Sequence, residues 1–151
     1  MSGKYFEELE IGLQIRHQPS RTVTETDNLL FTTMTHNTQP LHLDAEFGKS
    51  SGYGQIVVNS MFTLGLVVGL SVSDTTLGTT HGNLGFDQVI FPNPVFIGDT
   101  ITVSTTVVSR RQSNSRPDRG IVIFEHVGTK QDEKIVCSCK RSAMMMLAGN
   151  S

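Results

Sequence analysis

The chain has 151 residues, enough for one domain with a real core and too few for a second. Twelve basic against 14 acidic residues leave a net charge of -2, which excludes the broad positive field that nucleic acid or an acidic membrane would need in a partner. The opening stretch, MSGKYFEELEIGLQIRHQ, mixes charges with single apolar residues and lacks both a secretory apolar run and the acid-free, arginine-rich pattern of a transit peptide, so the expected compartment is the cytoplasm.

A first helix is predicted over residues 24–35, with Thr24 as N-cap and Asp27 three residues on, ahead of Leu29, Leu30 and Met34. It delivers the chain into Thr35–Asp44, THNTQPLHLD, where two histidines, two amides, a proline and a carboxylate crowd together. Histidine carries a proton near neutral pH without heavy tuning, which marks this loop as a candidate site. Asp44 reads as the cap of a short helix that Gly52 and Gly54 end.

From Ser50 to Ser73 there is no charged residue, and VVNSMFTLGLVVGLSV, Val57 to Val72, is apolar on nearly every side when drawn as a helix. Such a helix is expected to be buried all round. Its strongly apolar part is shorter than the roughly 20 residues a bilayer requires, and Asn59, Ser60, Gly65, Gly69 and Ser71 interrupt it, so no membrane span is expected.

A turn-rich link, DTTLGTTHGN, then leads into β-structure. GFDQVIFPNPVFIGD supplies a strand and a proline-marked turn. TITVSTTVVS alternates from Thr100, with Ile101, Val103, Thr105 and Val107 on one face; GIVIFEHVGTK and EKIVCSCKRSAMMML are two further strands. Cys137 and Cys139 share a strand face, and no other Cys or His stands at the intervals of a four-ligand site, so they read as packing thiols and no metal is expected. His17 and His126 read as surface or strand-edge residues, and His81 as a candidate for a pocket mouth. Arg110, Arg111, Arg116 and Arg119 cluster in a hairpin-like connection that, on composition, is a solvated loop. The sum is an α+β chain in which an antiparallel sheet curls around one apolar helix.

Three stretches, together spanning most of the chain, resemble the MaoC-like dehydratases of the hot-dog fold, close to the R-specific enoyl-CoA hydratases. His36-Asn37-Thr38-Gln39-Pro40-Leu41-His42-Leu43-Asp44 stands where the family runs G-D-x-N-P-x-H-x-D; GQIVVNSMFTLGL stands at the family's G-x-P-I-x-H-G-M entry to the central helix; FPNPVFIGDTI matches F-x-x-P-V-F-x-G-D-T-L. The resemblance implies a single hot-dog domain over residues 1–151, paired as a homodimer or higher homo-oligomer, acting on an acyl-CoA thioester with no cofactor beyond the CoA of the substrate. It implies hydro-lyase chemistry carried by His42, by Asn37 in the place of the family's aspartate, and by the Ser60 backbone N–H, with Gln39, Asn59, Tyr53, Arg111 and Arg116 binding substrate.

The departures from the pattern are chemical. Asn37 cannot take or give a proton and can only hold water or a carbonyl by hydrogen bonds. Gln39 replaces an asparagine, and Asn59-Ser60 replaces His-Gly while keeping the backbone N–H. Such amides imply a substrate more polar than a straight acyl chain. The loop Ser113-Asn114-Ser115-Arg116-Pro117-Asp118-Arg119-Gly120 and the Val58-Asn59-Ser60 helix entry resemble the subgroup that handles branched dicarboxylyl esters such as mesaconyl-CoA or itaconyl-CoA, whose nucleotide phosphates or free carboxylate an arginine fork would meet. Two other functions share the fold. A thioesterase would aim a carboxylate from the central helix, and no Asp or Glu occurs from Ser50 to Ser73; a non-catalytic acyl-CoA-binding protein would suit an asparagine at position 37.

Overall fold

The computed structural model describes residues 3–149. A 3-10 turn (Phe6–Glu8) and two short strands, β1 (Gln14–Arg16) and β2 (Arg21–Thr22), precede α1 (Glu25–Met34); a second 3-10 turn (Pro40–His42), α2 (Ala45–Ser50) and α3 (Ser60–Thr75) follow, and then β3 (Thr80–Ile90), β4 (Thr100–Gln112), β5 (Arg119–Lys130) and β6 (Ile135–Met146). The strands form one antiparallel sheet in the order β1-β4-β5-β6-β3, with β2 also on β4, so β3 is an edge. The sheet wraps α3, which is the hot-dog arrangement.

Local chemistry accounts for the helix starts. Thr24 accepts the Asp27 N–H while the Asp27 carboxylate accepts the Thr24 N–H at 2.8 Å, the predicted capping box. Asp44 accepts from the Glu46 and Phe47 N–H groups and caps α2 as predicted. α3 is capped by Asn59, whose side chain accepts the Met61 N–H, and runs from Ser60 to Thr75, past the predicted end at Val72. The tail of the predicted link is strand instead, because Thr80, Gly82 and Asn83 pair with Met145, Met144 and Ala143 of β6, a partner no local turn signal announces.

The inward face of the sheet carries Ile101, Val103, Thr105 and Val107 of β4, as the alternation predicts, together with Val122 and Phe124 of β5 and the free, buried Cys137 and Cys139 of β6. Val67 and Leu64 of α3 join Ile101, Val103 and both cysteines in one core. The helix approaches most closely at Gly128, where a Cβ would stand 2.4 Å from Val67 Cγ2. Gly128→Ala is therefore expected to overpack this contact by about 1–3 kcal/mol, seen as a lower midpoint in denaturant with activity retained in the folded fraction. A second cluster, with Leu9, Val107, Val122, Phe124 and Met145, lies under the N-terminal turn, where Phe6 sits directly over Gly120.

Between the two clusters runs a buried polar seam. His17 Nδ1 donates to the Asp74 carboxylate at 2.8 Å, its Nε2 meets Thr105 Oγ1 at 2.7 Å, and Thr105 Oγ1 meets His126 Nδ1 at 2.8 Å. His17 and His126 are thus interior residues, 3% and 0% exposed, which corrects their reading as surface or edge positions. His126 falls in the inward phase of β5 and His17 directly follows β1; both ring nitrogens of His17 have polar partners, whereas His126 is bonded through Nδ1 alone.

Burial, with lesser contributions from Arg141 and His17, pushes the His126 pKa down to about 3. Folded His126 stays neutral while the unfolded chain takes up a proton below about pH 6.5, so its contribution is complete above that value and is lost as pH falls towards 3. The expected loss approaches about 1.4 kcal/mol per pH unit across this window. Thermal melts should show that slope, and His126→Gln should flatten it.

One stripe of α3, at Met61, Gly65 and Gly69, is not covered by its own chain, so the expectation of burial on every side is not met within one subunit. Among the described residues no helix is long and apolar enough to cross a membrane.

Candidate active site

α1 ends where His36 takes a left-handed conformation (φ 54°), with the His36 and Asn37 N–H groups capping the Thr33 and Thr32 carbonyls. Asn37 then turns the chain by accepting the Gln39 N–H on its own Oδ1 at 3.0 Å. Pro40 opens the 3-10 turn that carries His42.

The His42 ring is held by Nδ1, 2.7 Å from the Val57 carbonyl. A carbonyl only accepts, so Nδ1 is the donor of this pair, and the neutral tautomer that this bond selects carries its lone pair on Nε2. The Val57 N–H returns to the Leu41 carbonyl at 3.1 Å, which zips the histidine turn to the segment entering α3.

His42 lines a cavity of about 210 Å³ together with Ser60, Thr63, Tyr53 and Asn93. Ser60 is the first residue of α3, and its N–H has no acceptor in the described chain. It therefore offers the cavity a free donor at the positive end of a 16-residue helix. The hydroxyls of Thr33, Thr35, Ser71 and Thr75 fold back onto carbonyls of their own helices, whereas Thr63, one turn beyond Ser60, makes no such bond. Among the described residues no Asp, Glu, Lys or Arg lines this space. The arrangement couples one base to one backbone donor across a small, largely uncharged pocket.

The far wall is the Phe91–Val95 segment. Asn93 donates to the Ile135 carbonyl at 2.8 Å, and the Val58 N–H to the Val95 carbonyl at 2.8 Å. Asp99 braces the turn behind it by accepting from the Phe96 N–H at 2.9 Å, Gln131 at 2.6 Å and Lys130 at 3.2 Å. Burial pushes this carboxyl up, but those donors outweigh it and hold Asp99 below the usual carboxylate range. The Gly98-Asp99 pair of the FPNPVFIGDT stretch thus supports the wall without touching the cavity.

His42, Ser60 and Tyr53 come together as the sequence places them. Asn37 and Gln39 do not line the cavity in a single chain. Asn59 does not either: it is 3% exposed, with its Oδ1 on the Met61 N–H and its Nδ2 3.3 Å from Thr32 Oγ1. Its amide caps α3, bonds to Thr32 and lies outside the cavity lining of the single chain. Arg111 stands eight residues along β4 from the level of Val103, Gly128 and Cys137, or about 26 Å at strand rise, and Arg116 lies beyond it in the β4–β5 hairpin, so one chain does not bring them to the cavity. His81, on β3, is outside it as well. Sequence reading missed Thr63 and Asn93 in the lining. It also missed Asn28, whose amide ties His42 to the start of α3; the available signal was a poor helix former in mid-helix, four residues before Thr32.

Comparison with known proteins carries the assignment further. The MaoC like domain family matches residues 7–133. A Chloroflexus aurantiacus protein named beta-methylmalyl-CoA dehydratase is 30% identical over 143 residues, covering 95% of this chain and 40% of its own length. A Cereibacter sphaeroides protein named mesaconyl-CoA hydratase is 29% identical over 144 residues, covering 95% and 41%. Among solved structures, an Archaeoglobus monoamine oxidase regulatory protein superposes with a TM-score of 0.86 at 31% identity, covering 98% of this chain and 97% of that one. The chain spans about two fifths of the length of the two curated relatives. With its sheet wrapped on α3 and the loop histidine facing the helix start, the chain belongs to the MaoC-like dehydratase domain family.

Proposed function

We propose that this chain is a hydro-lyase that adds water to, or removes it from, the α,β double bond of a short, polar enoyl-CoA thioester of the mesaconyl-CoA or itaconyl-CoA kind. The observation that carries the reading is that His42, whose Nδ1 is engaged by the Val57 carbonyl, and Ser60, whose N–H has no acceptor among the described residues, line one cavity. In the hydration direction Nε2 takes a proton from water as the hydroxyl adds to Cβ; the electron pair of the double bond moves to the thioester oxygen, where the Ser60 N–H and the helix dipole hold the enolate; the proton then passes to Cα. The addition is redox-neutral, and the proposal calls on no cofactor or metal.

Relatives named for C5 dicarboxylic esters support the substrate class, as do the Ser60 and Thr63 hydroxyls and the Tyr53 and Asn93 side chains around the cavity. The absence of any carboxylate from the lining disfavours a thioesterase that attacks through an acid. A homodimer is part of the proposal. It is supported by the open edge of β3 with Leu84, Phe86 and Ile90 exposed, and by Gly65 and Gly69, where an added Cβ would meet nothing of the same chain. The two buried free thiols suit the reducing cytoplasm.

The test is incubation with mesaconyl-CoA, itaconyl-CoA and crotonyl-CoA, with products read by mass. Gain of one water, faster on a dicarboxylic ester than on crotonyl-CoA, is the expected result. Release of free CoA in its place would favour a thioesterase, and tight binding without turnover would favour a binding protein.

A further inference from the structure

Asn28 stands in the middle of α1, where asparagine is a weak helix former, and is 2% exposed. Its side chain bonds to groups outside its own helix. Nδ2 donates to the His42 backbone carbonyl at 2.8 Å, and Oδ1 accepts the Asn59 N–H at 3.0 Å. Thr32, one turn on and fully buried, donates to the same Oδ1 at 3.4 Å and meets Asn59 Nδ2 at 3.3 Å. One planar amide therefore spans the histidine turn and the first turn of α3.

We infer that Asn28 is the positioning residue that sets His42 against the Ser60 N–H, an inference that rests on the hydratase reading above. The histidine turn is tied to the α3 entry at two levels: at Val57, by the His42 ring and by the Leu41 carbonyl, and at Asn59, two residues further along, by the His42 main chain through Asn28. The bonds at Val57 alone hold the turn at one level and leave it free to pivot there. The tie through Asn28 fixes the His42 backbone at a second level, and so the orientation of its ring. A reacting group displaced by about 1 Å loses on the order of 100-fold in rate, so a donor this remote from substrate acts through geometry alone.

Asn28→Asp keeps the size of the side chain and the acceptor for the Asn59 N–H, but sets a carboxylate oxygen against the His42 carbonyl. Asn28→Ala removes both bonds. Thr75→Val, which deletes a buried helix hydroxyl far from the cavity, controls for a general loss of stability. The expected result is a fall in kcat of about 10- to 100-fold for both Asn28 variants with KM changed by less than about threefold, and an unchanged kcat for Thr75→Val. In parallel, the 15N-histidine NMR signal of the His42 Nδ1–H should move in Asn28→Asp. Wild-type kcat in the Asn28 variants, or a loss that only tracks the folded fraction, overturns the inference while leaving the hydratase reading intact. If the wild-type protein hydrates no ester, the hydratase reading falls, and an unmoved His42 signal then overturns the positioning role on its own.

Discussion

His42→Ala is expected to lower kcat by about 100- to 10,000-fold while leaving KM for the CoA ester nearly unchanged. The size follows from the inventory of the cavity. Among the described residues His42 is the only imidazole in the lining and no carboxylate lines the cavity with it, and Asn37 has its Oδ1 turned to the Gln39 N–H. No second side chain in the same subunit is placed to take the proton from water. The structural cost is small by comparison: the half-buried ring loses one hydrogen bond to the Val57 carbonyl, worth about 1 kcal/mol, whereas the kinetic loss corresponds to about 3–5 kcal/mol of barrier. Steady-state kinetics on purified, folded variant decide the matter. Retention of full activity in His42→Ala would remove the histidine from the chemistry and with it the proposed mechanism.

Ser60→Pro is expected to cost about 100- to 1,000-fold in kcat without unfolding the protein. Proline at the first position of a helix deletes only an N–H that the helix does not use. The preceding residue is compatible with it: Asn59 sits at φ -56°, ψ 123°, in the extended region that a following proline prefers. What disappears is the donor facing the enolate oxygen. Ser60→Ala is the companion measurement, because it keeps the N–H and removes only the hydroxyl; its kcat should stay within about threefold of wild type. A Ser60→Pro protein that melts normally and turns over normally would show that the carbonyl is held elsewhere. Equal losses in both variants would move the donor from the backbone to the side-chain hydroxyl.

Much of this architecture is written locally. The capping box at Thr24 and Asp27, the cap at Asp44, the alternation from Thr100 and the uncharged run through α3 are short-range patterns, and each became the element it suggested. His42 and Ser60 were legible through the spacing of the three stretches that resemble the family. Strand phase was harder. His17 and His126 read as edge residues because a polar side chain in a strand usually faces water. Their partners, Asp74 and Thr105, lie 57 and 21 residues away, and only folding shows that they arrive.

The same limit shaped the site. Beside Ser60 in sequence, Asn59 reads as a substrate donor; its neighbour across space, Asn28, is 31 residues upstream. Arg111 and Arg116 suit the site on chemistry, but the length of β4 carries the hairpin away from the cavity within one chain. Residue types and short spacings by themselves determined which elements form and which helix is central, and the resemblance to the family singled out His42 among the histidines. The tertiary structure alone decided which amides cap and clamp, which hydroxyls reach the cavity, and how Nε2 of His42 is aimed. Those outcomes depend on hydrogen bonds closed across tens of residues, and their geometry is set by packing of α1 and α3 against each other and against the sheet.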